Sequence, residues 1–350
     1  MVLNIVISAG GTGGHLIPAQ QLAQELMGNN IVFMAKGLGN NYNFHKKFDF
    51  HEVESGPLNK KQFFTSVFDI GKGILQTVRF FLKFKPDVVV GFGSYYTFPV
   101  LCAAYLMRKP IVLFEANISM GKVNRFFEKK AKVVACQFGE KRRENYQMVP
   151  LLPWSNLQKM DKKEARKKLG LDDLYTILVF GGSQGANFIN ENFCEAALIL
   201  KETNNFQIIH LCGNDKNAKE IKSFYDEHKI ASYVSSYEKD MATIYSACDM
   251  AICRSGAGTI CELIFFEIPS ILIPLSYSSE NHQQYNAFFI QEIKGGIAIL
   301  ENRFNLFHFT KKIKEMMGKN QMGENLVKFK KDLEKENRKP LAEFIFQLKR

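Results

Sequence analysis

Two short glycine-rich segments offer the clearest chemistry in this chain of 350 residues: Gly10-Gly11-Thr12-Gly13-Gly14-His15 and Gly181-Gly182-Ser183-Gln184-Gly185-Ala186. Each follows a short apolar, β-branched run (residues 2–8 and 176–180), and each leads into a stretch with helical spacing. Glycine permits positive φ and lets the backbone approach a ligand closely. Free amides at a helix start attract anionic groups. A tight turn alone would need fewer glycines than the four of the first segment. The spacing is not GxGxxG, and the second strand (residues 31–35) ends without an acidic residue to hold a ribose, which argues against NAD. His15 closes the first segment, and an imidazole titrates near neutrality and can take a proton from an alcohol. The alternative is a histidine that only hydrogen-bonds its own loop. The second segment adds the Ser183 hydroxyl to its amides and suits a diphosphate. A helix dipole contributes only about 0.3–1 kcal/mol at an exposed site, so direct hydrogen bonds must do most of the binding.

A third segment, Arg254-Ser255-Gly256-Ala257-Gly258-Thr259-Ile260-Cys261-Glu262, also runs from a strand into a helix. Arg254 suits a phosphate. Glu262 can accept two hydrogen bonds from a ribose diol, or serve only as a carboxylate at a helix start. Residues 280–287 (ENHQQYNA) are rich in neutral donors and acceptors of the kind that read sugar hydroxyls, unless they merely form a solvated helix start. No His, Cys and carboxylate cluster has metal-ligand spacing, and no Asp-x-Asp pair is present. The expectation is therefore no metal and no cofactor, with amides and hydroxyls carrying the anionic charge.

Composition bounds the rest. Forty-six basic against 35 acidic residues leave a net charge of +11, which suits an anionic partner. No recognised nucleic-acid motif accompanies that charge. The seven cysteines lack CxxC spacing and several lie in apolar runs, so buried free thiols and a reducing compartment are expected. The apolar start has no basic prefix and reads as a strand, not a signal peptide. The longest apolar run, residues 95–107, falls short of the ~18 residues that span a bilayer.

These segments need a frame that brings strand ends together. At ~150 residues per domain the length implies two domains. In the first half, strands at residues 2–8, 31–35, 87–91, 111–115 and 132–135 alternate with helical stretches, one of them at residues 18–27. Pro150 and Pro153 then break the pattern, and a charged helix over residues 161–169 follows. The second half repeats the grammar, with strands at 176–180, 207–211, 250–253, 271–274 and 297–300. The reading is α/β, with two Rossmann-like domains whose parallel sheets face across a cleft. The first domain spans residues 1–153 and the second residues 154–330. A C-terminal helical segment, residues 331–350, packs back on the first domain.

Residues 60–85 (KKQFFTSVFDIGKGILQTVRFFLKFK) mix bulky apolar with basic side chains around a single acid, Asp69. Phe64, Phe68, Leu75, Val78, Phe81 and Leu82 cannot all face one core at helical spacing. Some should reach the surface beside Lys72, Arg79, Lys83 and Lys85, the pattern of an interfacial helix on an anionic membrane.

Six segments together resemble the MurG family: SAGGTGGH (residues 8–15), KPDVVVGFGSY (85–95), FEAN (114–117), VFGGSQGA (179–186), CRSGAGTICE (253–262) and HQQYNA (282–287). The resemblance runs nearly end to end. It implies the GT-B fold and an inverting transferase that moves N-acetylglucosamine from UDP-GlcNAc to undecaprenyl-diphosphoryl-N-acetylmuramoyl-pentapeptide (lipid I), at the cytoplasmic membrane face. It implies Thr12, Gly13, Gly14, Asn117, Ser183 and Gln283 at the donor, Ala257, Gly258, Thr259, Ile260, Cys261 and Glu262 around the nucleotide, and His15 near the acceptor hydroxyl. The chain departs from the family at Leu151-Leu152-Pro153-Trp154-Ser155, where Gly-Asn-Pro-Val-Arg is usual, so that Ser155 replaces an arginine. Competing readings are a UDP-sugar 2-epimerase, a silent UDP-sugar-binding protein and, more weakly, a nucleic-acid binder.

Overall fold

The computed structural model describes residues 2–57, 63–139, 142–151, 157–182, 185–276 and 281–348. The chain divides into two compact units, residues 1–155 with 337–350, and residues 156–336.

Unit 1 is a seven-stranded sheet of β1 (Asn4–Ser8), β2 (Asn30–Ala35), β3 (Phe50–Glu52), β4 (Val88–Gly91), β5 (Ile111–Glu115), β6 (Val133–Cys136) and β7 (Tyr146–Met148). The order is β3-β2-β1-β4-β5-β6-β7 and every pairing is parallel. Parallel strands buried on both faces read as unbroken apolar runs, and β4 and β5 do so: Val88, Val89, Val90, Ile111, Val112, Leu113 and Phe114 are all buried. The crossovers carry α1 (Gly13–Glu25), α2 (Phe63–Phe84), α3 (Phe98–Leu106) and α4 (Lys122–Phe127). Helix α1 begins inside the glycine segment, ahead of the start expected at Pro18. Pro18 sits in its second turn and supplies no amide to the Gly14 carbonyl.

Unit 2 restarts the plan after α5 (Lys162–Lys168). Its strands are β8 (Tyr175–Phe180), β9 (Phe206–Leu211), β10 (Ser232–Ser235), β11 (Met250–Cys253), β12 (Ser270–Leu272) and β13 (Gly296–Ala298). They too are all parallel, ordered β10-β9-β8-β11-β12-β13. The connecting helices are α6 (Asn187–Lys201), α7 (Asp215–Glu227), α8 (Met241–Ala247), α9 (Ala257–Phe266), α10 (His282–Glu292), α11 (Leu306–Met317) and α12 (Gln321–Lys335). The core is built on Ile177, Val179, Ile208, Ile252 and Ile271 from the sheet, with Phe193 and Phe309 from the helices.

Both sheets reverse their winding direction once, between β1 and β4 in unit 1 and between β8 and β11 in unit 2. Open α/β sheets bind ligands in the crevice at the carboxyl ends of such a strand pair. Residues 9–12 and 92–94 flank the first crevice, and residues 181–182, 185–186 and 254–256 flank the second. The last helix, α13 (Leu341–Gln347), belongs to unit 1. Its Leu341 lies beside Leu22, Val149 and Pro150, and the Arg338 guanidinium donates to the carbonyls of Gln137 (2.8 Å) and Val149 (3.3 Å). Among the described residues no helix is long and apolar enough to cross a membrane.

Candidate functional site

In unit 1 the first crevice is organised around His15, in the first turn of α1. Its Nδ1 lies 2.7 Å from the carbonyl oxygen of Phe92, just past β4. A carbonyl only accepts, so Nδ1 carries the proton, and in the neutral form of that ring Nε2 is the basic nitrogen. That is the tautomer a general base requires. The ring is half-buried, and Gly93, at φ +84°, passes close to its Cε1 edge.

Glu115, the last residue of β5, is buried and organises the neighbouring loop. Its Oε1 accepts from the amide and the side-chain nitrogen of Asn117, both at 3.1 Å. Its Oε2 accepts from the Gly121 amide and from Asn124 Nδ2, both at 3.0 Å. Asn124 also donates to the Phe114 carbonyl and lies against Gly93. One carboxylate thus ties Asn117 to the turn that holds His15.

In unit 2 the loops after β8, β11 and β12 are neighbours through the strand order. The Ser255 hydroxyl donates to the Gln283 carbonyl at 2.7 Å, and buried Asn286 donates to the Ser255 carbonyl at 3.0 Å. The Leu275 amide donates to Gln283 Oε1 at 2.9 Å. These bonds fix the third segment against α10. Glu262 lies in the second turn of α9, half-buried, and accepts from the Tyr245 hydroxyl at 2.6 Å. Burial pushes its carboxyl up to about 7, against the opposing pull of that hydrogen bond.

Among the described residues, the helices that open onto these loops have no side-chain cap at their N-cap position, as α4, α10, α12 and α13 also have none. This holds for α1 at Thr12, α6 at Ala186 and α9 at Gly256. In contrast, Asp161, Asn214, Asp240 and Asn305 cap α5, α7, α8 and α11. Helix-start amides need partners, and uncapped ones at a sheet's switch point suit an anionic ligand.

The structure places the residues singled out in the sequence in two groups. Thr12, Gly13, Gly14, His15 and Asn117 gather around the unit 1 crevice. Arg254, Gln283 and the Ala257 to Glu262 stretch gather around the unit 2 crevice. Ser183 lies outside the described residues, as do Ser155 and the three residues before it. Arg254 is engaged within the protein. It is buried, ion-paired to Glu301 at 2.6 Å, and donates to the Ile273 carbonyl at 2.9 Å. Glu301 in turn accepts from the Ser276 hydroxyl at 2.7 Å. Asn286 is likewise turned inward on Ser255. Tyr245, Glu115 and Asn124 escaped sequence reasoning, because each acts through a partner that no motif spacing reveals. All seven cysteines are free thiols, and burial pushes Cys136 and Cys248 up to about 12. Among the described residues no three His, Cys, Asp or Glu side chains are grouped to hold a metal ion.

Residues 5–136 match the glycosyltransferase family 28 N-terminal domain, and residues 176–340 match its C-terminal domain. With two parallel sheets of this order, they define the class: a GT-B glycosyltransferase of family 28. A relative from Protochlamydia amoebophila (strain UWE25) is 42% identical over 327 residues, covering 87% of this chain and 84% of its own. One from Halothermothrix orenii is 32% identical over 340 residues, covering 90% of each. Both are named UDP-N-acetylglucosamine–N-acetylmuramyl-(pentapeptide) pyrophosphoryl-undecaprenol N-acetylglucosamine transferase. The chain belongs to this family, the MurG family. The crystal structure of Acinetobacter baumannii MurG shares the fold, with a TM-score of 0.77 at 23% identity over 99% of this chain and 98% of that one.

Proposed function

We propose that this protein transfers N-acetylglucosamine from UDP-N-acetylglucosamine to the C4 hydroxyl of the N-acetylmuramoyl unit of lipid I, with inversion at the anomeric carbon. The observation that carries the reading is the His15 Nδ1 bond to the Phe92 carbonyl, which fixes the basic tautomer at the crevice of unit 1. In the reaction the C4 oxygen forms its bond to the anomeric carbon as the bond to the diphosphate breaks. The leaving UDP takes the electron pair, and His15 Nε2 takes the hydroxyl proton. Unit 1 supplies the base, while Thr12, Gly13, Gly14 and Asn117 line its crevice. In unit 2, Glu262 receives the ribose diol, and the loop from Gly181 to Ala186 with the open end of α6 receives the diphosphate. Ser183 is assigned there by its place in the motif. Gln283 orients the segment after β12. Arg254, ion-paired to Glu301, supports its loop from within the protein.

We further infer that amides and hydroxyls meet the diphosphate charge without a metal ion. The third inference is that unit 1 docks on an anionic membrane through α2. Its residues Phe64, Phe68, Lys72, Leu75, Arg79 and Leu82 recur every three or four positions and are all exposed, whereas Ser66, Ile70, Thr77 and Phe81 face inward. A stripe mixing aromatic, aliphatic and basic side chains is the form of an interfacial helix. The acceptor's polyprenyl tail gives such a face its purpose, at the cytoplasmic side of the membrane.

The test is turnover of UDP-GlcNAc with a short-chain lipid I analogue. The expected result is a β-linked disaccharide product and one UDP per transfer, unchanged by EDTA. UDP-sugar epimerised without acceptor would overturn the transfer reading, and activity lost to EDTA and restored only by magnesium would overturn the metal-free one.

A further inference from the structure

Tyr245 is 2% exposed and lies on α8, outside all six segments that carry the family resemblance. Its ring packs edge-on to Phe180, centroids 6.1 Å apart, and against Phe266 at 5.1 Å. Phe180 is the last residue of β8 and leads directly into Gly181. The Tyr245 hydroxyl reaches Glu262 Oε2 at 2.6 Å. One buried side chain therefore touches the strand that delivers the second glycine loop and the carboxylate assigned to the ribose. Burial holds the phenol far from ionisation, so the hydroxyl can only donate to the carboxylate.

We propose that Tyr245 is the positioning residue of the nucleotide site, fixing the Glu262 carboxylate by Oε2 so that Oε1 and the remaining lone pairs meet the ribose diol in the ionised state. This rests on the reading of Glu262 as the ribose acceptor. The hydroxyl also biases the charge at that site. Burial favours the protonated carboxyl, and the Tyr245 bond favours the carboxylate. The other titratable groups that face Glu262 are Cys253 on β11 and Cys261 on α9, and burial holds both thiols neutral. Among the described residues no lysine or arginine pairs with Glu262, so the phenol is the group that opposes burial there.

The experiment measures UDP-GlcNAc binding by calorimetry from pH 6 to pH 9 on the full chain, Tyr245→Phe and Glu262→Gln. This ligand's diphosphate is a diester and carries no proton that titrates in that range. The parent's affinity should rise roughly tenfold between pH 6 and pH 8 as a carboxyl near neutrality ionises. In Tyr245→Phe the midpoint should move to higher pH. A movement of one unit weakens binding roughly fivefold at pH 7 but less than about twofold at pH 9. A role in packing alone would weaken binding by one factor at every pH. Glu262→Gln should bind weakly with no slope. A Tyr245→Phe curve that overlays the parent, or lies below it by a constant factor, overturns the proposal. Parent-like affinity and slope in Glu262→Gln would instead remove the ribose assignment beneath it.

Discussion

The two glycine loops look alike in sequence, yet different atoms shape them. In unit 1 the limits are side chains. A methyl group on Gly11, at φ +86°, would meet the Tyr96 ring at 2.9 Å, and one on Gly14 would meet only Thr12 Oγ1 at 3.6 Å. In unit 2 the limits are backbone. A Cβ on Gly181 would lie 2.2 Å from the Ala186 amide nitrogen, and one on Gly185, at φ +70°, 2.6 Å from the Cys212 carbonyl oxygen. Buried Asn190 donates to that same carbonyl at 3.2 Å and accepts from His210, whose own Nδ1 lies 2.8 Å from the Tyr225 hydroxyl. The first loop is a turn with adjustable side-chain neighbours and His15 at its end. In the second, Gly181 and Gly185 are wedged against backbone, Gly185 beside a polar network in the core. Under the proposed roles, a loop that handles a proton can tolerate side-chain adjustment, whereas one that binds by its own amides needs a fixed backbone.

The division of labour is tested most severely by His15→Ala. Turnover should fall by about 10²–10⁴-fold, with UDP-GlcNAc affinity nearly unchanged; equal losses in both would erase the distinction between the units. Reversing basic charges on α2 should affect only membrane attachment. Each basic group near an anionic surface contributes about 1 kcal/mol, so Arg79→Glu/Lys83→Glu should lower co-sedimentation with anionic vesicles roughly tenfold or more. Lys72 is left in place because it already faces Glu54 at 3.5 Å. Vesicle binding equal to the parent's would move the membrane face elsewhere.

Smaller effects separate the loops themselves. Gly185→Ala combines a left-handed backbone with a backbone clash and should destabilise unit 2 by about 1–3 kcal/mol. Gly14→Ala, in a helical turn with open space, should be neutral or stabilising by up to about 1 kcal/mol. Denaturant melts that rank the pair the other way would refute the contrast. The smallest expected signal is in pH. Glu262 has an ordinary value of 4.5 and is held at about 7 in the folded chain. Between those values the folded state binds more protons, so the ligand-free protein loses stability as pH rises from about 4.5 through about 7. Glu262→Gln should flatten that part of the stability curve.

Much of this was legible in the residues. The buried strands β1, β4, β5, β8 and β11 announce themselves as apolar runs, and the glycine loops mark where each sheet opens. The short outer strands β3, β7 and β10 did not, since an edge strand with a half-solvated face lacks the run that flags a buried one. The site's most telling contacts were also hidden. His15 is fixed by a backbone carbonyl, which any residue at position 92 would supply. Glu262 is held by a tyrosine on another helix, beyond the intervening strand β11. Arg254 reads as a phosphate ligand in its motif, and only the fold reveals Glu301 beside it.

The return of residues 337–350 to unit 1 bears on the order in which the protein is made. Unit 1 is not contiguous, because all of unit 2 is threaded between its sheet and its final helix. As the chain leaves the ribosome, the seat of Leu341 beside Leu22, Val149 and Pro150 stays uncovered while residues 156–336 are synthesised. At ~5–20 residues per second that interval is on the order of ten to forty seconds, long enough for unit 2 to fold first. Unit 1 is thus the last to be sealed, and its closing helix becomes available only once unit 2 has been synthesised.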